Sequence, residues 1–262
     1  MSAALKIDAR RKRIMEELER SGHVSISQLS AMLGATTVTI RNDLDVLEAN
    51  GHLDRVQGGA VLRAPLSMRE GRGGMVKEKR AIAIATVAHI QDGDTLFINS
   101  GTTTMEVAHV LRSHCKDLNI VTSSLAIASE LSAVPGFRVL LLGGELNVQY
   151  GFTCGGDAQE QLAKYQADHC ILTLDGVSCE EGITTYHADE TIIDRMMVER
   201  AKHAIVVADH SKIGRVGFSR ICPLTMIHTL ITDDGGNKDA IAAVADKGVE
   251  VVCAALAEVR GK

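Results

Sequence analysis

Apolar and polar positions along the chain change period twice. From Lys6 to Arg20, Ile7, Ile14, Met15 and Leu18 share one face of a helix. A break at Ser21-Gly22-His23-Val24 follows, and Ser25 then opens a short helix through Leu33, with Leu29 and Leu33 four residues apart. Gly34 ends it. Thr36 is placed to cap a third helix, over which Ile40, Leu44 and Leu47 form a second apolar stripe as far as Gly51. Two short helices joined by a tight Gly-containing turn have helix-turn-helix spacing. Beyond Gly51 the period shortens. Leu53–Val56 and Ala60–Leu62 read as short strands around Gln57-Gly58-Gly59, a hairpin behind the third helix, or wing.

Ala64–Met75 loses periodicity and gains Pro, Gly and Arg, as a linker does. From Lys77 helices and short apolar runs alternate. Thr95–Asn99, Asn119–Thr122, Arg138–Leu142, His169–Leu174, Ala204–Ala208, Thr229–Thr232 and Glu250–Cys253 read as strands, with amphipathic helices between most of them. Such alternation predicts a mostly parallel sheet covered on both faces. The predicted class is therefore α/β: a winged helix-turn-helix over residues 6–62, a linker over 63–76 and a larger α/β domain over 77–256.

Composition narrows the chemistry. The 262 residues are 45% hydrophobic and 23% charged, with a formal net charge of -5. The chain is globular and not a bulk polycation, so nucleic-acid binding must come from a local patch. The six cysteines are scattered without a CxxC, which suits free thiols in the cytoplasm, and the ten histidines include no HExxH. No metal and no cofactor is expected. No apolar run approaches the roughly 20 residues of a spanning helix, so no membrane partner is expected either. With no Trp and 3% aromatics, base stacking on an aromatic platform is disfavoured.

Candidate chemistry falls in two places. The outward, N-terminal half of the third helix is small and polar with one arginine, which suits entry into a DNA major groove. Its candidate contacts are Thr36, Thr37, Val38, Thr39, Arg41 and Asn42, joined by Arg55, Gln57 and Gly58 from the wing. The Arg10–Arg13 cluster is either a solvated face or a set of phosphate contacts.

In a parallel sheet, ligands bind beyond the carboxyl ends of the strands. Those ends carry Asn99-Ser100-Gly101-Thr102-Thr103, Thr122-Ser123, Gly143-Gly144, Asp175-Gly176 and Asp209 through Lys212. A glycine and hydroxyl residues at a helix N-terminus make an anion site, or simply a cap. Lys212 can pair with a phosphate, and Asp175, Glu190 or Asp209 can accept hydroxyls of a sugar. Alternatively, Asp209 and Lys212 form a structural ion pair.

These residues resemble the DeoR family of bacterial transcriptional regulators. The resemblance runs collinearly through Thr39-Ile40-Arg41-Asn42-Asp43-Leu44, Gly58-Gly59-Ala60, Ser100-Gly101-Thr102-Thr103, Gly143-Gly144-Glu145, Asp175-Gly176, Gly182-Ile183-Thr184-Thr185, Glu190 and Asp209-His210-Ser211-Lys212-Ile213-Gly214-Arg215. It implies a winged helix-turn-helix joined to a sensor domain resembling sugar-phosphate isomerases and CoA transferases. It also implies a DNA-binding regulator, usually a repressor of a catabolic operon, controlled by a phosphorylated sugar or related metabolite. Its partners would be double-stranded operator DNA, that effector and further copies of itself as a dimer or tetramer. The chain departs from the family pattern at Asn42 (commonly Arg), Gln57 (His), Asn99 (Asp), Thr173 (Gly) and Asp194 (Lys). Asn reads adenine where Arg favours guanine or phosphate, so a shifted operator preference is expected.

Two other functions fit the same residues. One is a sugar-phosphate isomerase or deaminase with an appended DNA-binding domain, using Asp175, Glu190 and Lys212 as acid, base and electrophile. The other is a scaffold that oligomerises without a ligand. The expectation is a regulator, not an enzyme, with no catalytic residues.

Overall fold

The computed structural model describes residues 3–21, 23–49, 52–56, 58–62, 75–148 and 150–256. The chain forms two compact units, Met1–Gly74 and Met75–Lys262. Gln57 and residues 63–74 of the expected linker lie outside the described residues.

The first unit runs α1 (Ala3–Ser21), β1 (His23–Ser25), α2 (Ile26–Leu33), α3 (Thr37–Ala49), β2 (Leu53–Val56) and β3 (Gly59–Leu62). Its core gathers Ile14 and Leu18 of α1, Leu29 of α2, and Ile40, Leu44 and Leu47 of α3, so both apolar stripes read from the sequence face inward. Helix α2 opens with a capping box: the Gln28 N–H donates to Ser25 Oγ (3.2 Å) and the Ser25 N–H to the Gln28 side chain (3.3 Å). It closes at Gly34 in the left-handed region, φ 60°. The Thr39 N–H donates to Thr36 Oγ1 (3.1 Å), so Thr36 caps α3.

The wing departs from the hairpin expected. Residues read as a break form β1, which pairs antiparallel with β3 and gives the order β1-β3-β2. The strands meet closely at Gly59, where a Cβ would lie 2.0 Å from the Val24 carbonyl oxygen.

The second unit is built on seven strands: β4 (Thr95–Ile98), β5 (Asn119–Thr122), β6 (Arg138–Leu141), β9 (Ala167–Leu172), β12 (Ala201–Val207), β14 (Thr229–Asp233) and β15 (Glu250–Ala254). All neighbours pair in parallel, in the order β15-β14-β12-β9-β4-β5-β6. These are the seven runs read from the sequence. Side chains alternate between two cores. Leu96, Ile98 and Ile120 pack with α4 (Val76–Val87), α5 (Thr102–His114) and α6 (Leu125–Ser132). Phe97 and Val121 pack on the other face with α7 (Gly155–Leu162) and α8 (Ala188–Glu199), the face that also buries Val244 of α9 (Lys238–Ala245).

Five short strands have no counterpart among the runs read from the sequence. Strands β7 (Glu145–Asn147) and β8 (Phe152–Cys154) form a hairpin. Strands β10 (Gly176–Ser178), β11 (Gly182–Thr185) and β13 (Ser219–Cys222) form a small antiparallel sheet, β10-β11-β13. Three or four residues are too few to show a period. Strands β7 and β10 follow closely on the carboxyl ends of β6 and β9, and so border the candidate effector site.

Candidate functional sites

Helix α3 turns its apolar stripe into the core, which leaves Thr37, Val38, Arg41 and Asn42 exposed, Val38 at 61%. Thr36 is exposed too, but its hydroxyl caps the helix and lies 2.8 Å from Thr39 Oγ1. The exposed set offers a methyl surface, a carboxamide and a guanidinium within two turns, which are groups able to address base edges in a major groove. Gly58, at φ 81° with open space around it, forms the exposed tip of the wing.

Several arginines hold the head together. Arg10 and Arg11 of α1 both bind the carboxylate of Asp43 on α3, Arg11 at 3.0 Å, and the Asp43 side chain is 3% exposed. The phosphate role considered for the Arg10–Arg13 cluster therefore does not extend to these two. Arg55 braces the wing against α3. Its guanidinium binds Asp45 and the Arg41 carbonyl (3.3 Å), and its N–H donates to Glu48 (2.8 Å).

In the second unit the strand ends bring together many of the residues expected. Asn99 follows β4 and is buried; its side chain is fully engaged. The carboxamide nitrogen donates to the Thr173 carbonyl (3.0 Å) and to Asp194 (3.2 Å), and its oxygen accepts the Thr173 N–H (3.0 Å). Asn99 thus clamps β4 to the end of β9, a structural role where effector contact was expected. Two of the departures from the family pattern, Asn99 and Asp194, are one hydrogen-bonded feature. A third, Thr173, packs on the loop before α5: a Cβ on Gly101 would lie 2.0 Å from Thr173 Cγ2.

Helix α5 starts at Thr102, with Gly101 before it contributing no side-chain cap. Its first N–H groups, around the buried Thr103, make the positive end of a helix dipole. At the end of β5, the strand paired with β4, Ser123 Oγ is buried with no hydrogen-bond partner, while Ser124 caps α6 through the Ile127 N–H (3.3 Å). Thr122 Oγ1 accepts the Ser124 N–H (3.0 Å). Glu190 of α8 lies near the Ser100 backbone, and its Oε1 is buried with no hydrogen-bond partner.

Asp175 accepts the Tyr186 N–H (2.9 Å) and the Thr185 hydroxyl (3.2 Å), and it faces Lys212 Nζ at 3.6 Å. Asp209 accepts the Ser211 N–H at 3.0 Å. The partner of Lys212 is thus Asp175, in place of the Asp209 pairing considered from the sequence. Burial, with the charge of Asp175 behind it, pushes the Asp194 carboxyl up to about 8, against the Asn99 hydrogen bond. Glu190 is raised well above the carboxylate range by burial, then by the charges of Asp194 and Asp175.

The glycines here answer to packing. A Cβ on Gly144 would meet the Cys154 carbonyl oxygen at 2.4 Å, and one on Gly176 the Arg215 carbonyl oxygen at 2.5 Å. Gly143 donates its N–H to Gln161 (2.9 Å). Sequence reading missed Tyr150 and His187, whose rings lie 4.0 Å apart. The Tyr150 carbonyl accepts the Ser100 hydroxyl (3.5 Å). Neither residue sits in a periodic segment, so no pattern marks them.

A cleft of about 390 Å³ lies at the opposite edge, where β4, β9 and β12 begin. Its charged groups are already matched: Lys202 with Asp168 (2.8 Å), and Arg200 with the Tyr165 carbonyl (2.7 Å). Among the described residues no group of three or more His, Cys, Asp or Glu side chains is arranged to hold a metal, and no helix is long and apolar enough to cross a membrane.

The family model of the DeoR-like helix-turn-helix domain matches residues 10–65, and that of the DeoR C-terminal sensor domain matches residues 75–234. The chain belongs to the DeoR family. It is 34% identical over 249 residues to a putative aga operon transcriptional repressor of Escherichia coli O157:H7, covering 93% of this chain and 92% of that one. It is 31% identical to the glycerol-3-phosphate regulon repressor of Escherichia coli K12, covering 87% and 92%. A solved D-ribose-5-phosphate isomerase, in complex with phospho-erythronic acid, matches 51% of this chain and 52% of its own at 16% identity. Its TM-score is 0.39, too loose a likeness to bear on function. Like its DeoR-family relatives, the chain is a DNA-binding transcription regulator and not an enzyme.

Proposed function

We propose that this DeoR-family protein represses a carbohydrate-use operon in the cytoplasm and that a phosphorylated sugar bound in its sensor domain controls it. Thr37, Val38, Arg41 and Asn42 enter the major groove, Asn42 facing adenine and Val38 offering methyl contact to thymine. The tip of the wing at Gly58 approaches the phosphate backbone. One such head covers too few base pairs for operator affinity, so the working form is a dimer or tetramer. The effector's phosphate sits on the first turn of α5, and its hydroxyls reach Ser123 and the acidic side chains beyond. Effector binding favours one arrangement of the sensor domains, and the paired heads lose operator spacing.

The observation that carries the effector half of this reading is the pairing of an open helix N-terminus at Thr102 with the buried, unpartnered Ser123 Oγ. Buried polar atoms are nearly always satisfied, and a ligand oxygen would satisfy this one. The test is thermal unfolding of the full-length protein against a panel of sugar phosphates and the parent sugars, followed by operator binding. A phosphorylated member at about 100 times its dissociation constant is expected to add about 2.7 kcal/mol of stability. It should also loosen DNA, while the parent sugar does neither. A panel in which phosphate makes no difference would overturn the effector assignment.

A further inference from the structure

Among the described residues, the sensor site sets three buried carboxyl groups against one basic side chain, Lys212. Asp175, Glu190 and Asp194 are 8%, 5% and 1% exposed. Lys212 serves Asp175. Asp194 accepts the Asn99 carboxamide, Glu190 lies near the Ser100 backbone, and no basic side chain of the described residues forms an ion pair with either. One oxygen of each, Glu190 Oε1 and Asp194 Oδ1, is buried without a partner. A buried carboxylate in this state either holds a proton or waits for a cation. A metal ion is a poor candidate, because no group of three or more ligating side chains converges among the described residues.

We propose that the effector is an amino sugar phosphate, its ammonium group docked on Glu190 and its phosphate on the first turn of α5. The inference rests on the effector reading above and adds the ligand's chemical class. A ligand hydroxyl would satisfy Glu190 Oε1 but leave the acidic pair without a countercharge. An ammonium supplies donors and charge together. Spacing agrees: Glu190 lies near the Ser100 backbone, two residues before α5 begins at Thr102. Two residues of chain span at most about 7 Å, the scale of one hexose. Anionic and cationic ends of a single sugar can therefore occupy both places.

The test uses full-length protein and matched pairs: glucosamine 6-phosphate against glucose 6-phosphate, and the galactose and mannose equivalents. Binding is measured by calorimetry and thermal shift. In at least one pair the amine is expected to bind about tenfold or more tightly, and N-acetylation, which removes the charge, should cancel the advantage. Glu190→Gln should lower the amine to the affinity of its parent, so that the advantage of the amine disappears within each pair. Equal or tighter binding of the parent in every pair overturns the amine assignment and leaves the sugar-phosphate reading standing. Binding by no member of any pair overturns the amine assignment, and the wider sugar-phosphate panel above then decides the effector reading by itself. The wild-type comparison decides the matter even if Glu190→Gln does not fold.

Discussion

Asp43→Ala is expected to destabilise the DNA-binding head by about 3 kcal/mol and to abolish operator binding. The carboxylate is almost fully buried between α1 and α3 and holds two guanidiniums, those of Arg10 and Arg11, whose side chains are 20% and 13% exposed. Removing one partner of a buried pair costs about 3–5 kcal/mol, because the charges left behind stay desolvated. The arginines keep some contact with water, so the lower end applies. A head this small has little stability to lose, and α3 carries the groups that face DNA. Urea unfolding followed by circular dichroism, beside operator titration, reads both effects. Asp43→Asn, which keeps an acceptor oxygen, should lose less. A shift of the head's transition below about 1 kcal/mol would mean the two pairs are surface-like.

The second large effect is expected at Gly101, where alanine should cost about 1–3 kcal/mol by overpacking and should blunt the effector response. Gly101 is extended (φ 161°), so its backbone needs no glycine; the demand is for space. The new Cβ would sit 2.0 Å from Thr173 Cγ2. Thr173 has little freedom to retreat, since Asn99 binds both its N–H and its carbonyl at 3.0 Å. The first turn of α5 must move instead, and with it the proposed phosphate site. Thr173→Ala removes the clashing methyl and leaves a Cβ at 3.4 Å. The double variant should regain most of the stability and the response, a coupling of about 1–2 kcal/mol. Simple additivity of the two changes would show that the clash is relieved elsewhere.

Much of this architecture was legible in the linear chain, for a physical reason. Strands of a parallel sheet buried on both faces appear as short apolar runs, and TLFI, NIVT and RVLL are visible without a partner. Helix starts at Ser25 and Thr36 were visible because capping is local. The short antiparallel pieces were not: β10 has only three residues, too few to show a period, and β1 pairs with a strand more than 30 residues away. The same division runs through the candidate sites. Parallel topology alone assigns Ser100, Ser123 and Asp175 to one edge of the sheet. Which side chains then bind one another is not a local property. Asn99 and Asp194 are 95 residues apart, and Arg10 and Asp43 are 33 apart. Those pairings turn residues of the expected effector and phosphate sets into structural ones, and no periodicity marks them beforehand.

The central claim is that the outward face of α3 reads DNA, and footprinting of the chain's own upstream region tests it most directly, with wild type and Arg41→Ala compared at one low salt concentration. Arg41 is exposed, so the variant should fold normally. The account predicts protection of paired half-sites by the wild type and about tenfold or greater loss of occupancy in the variant. An unprotected upstream region, or equal occupancy by both proteins, would contradict it.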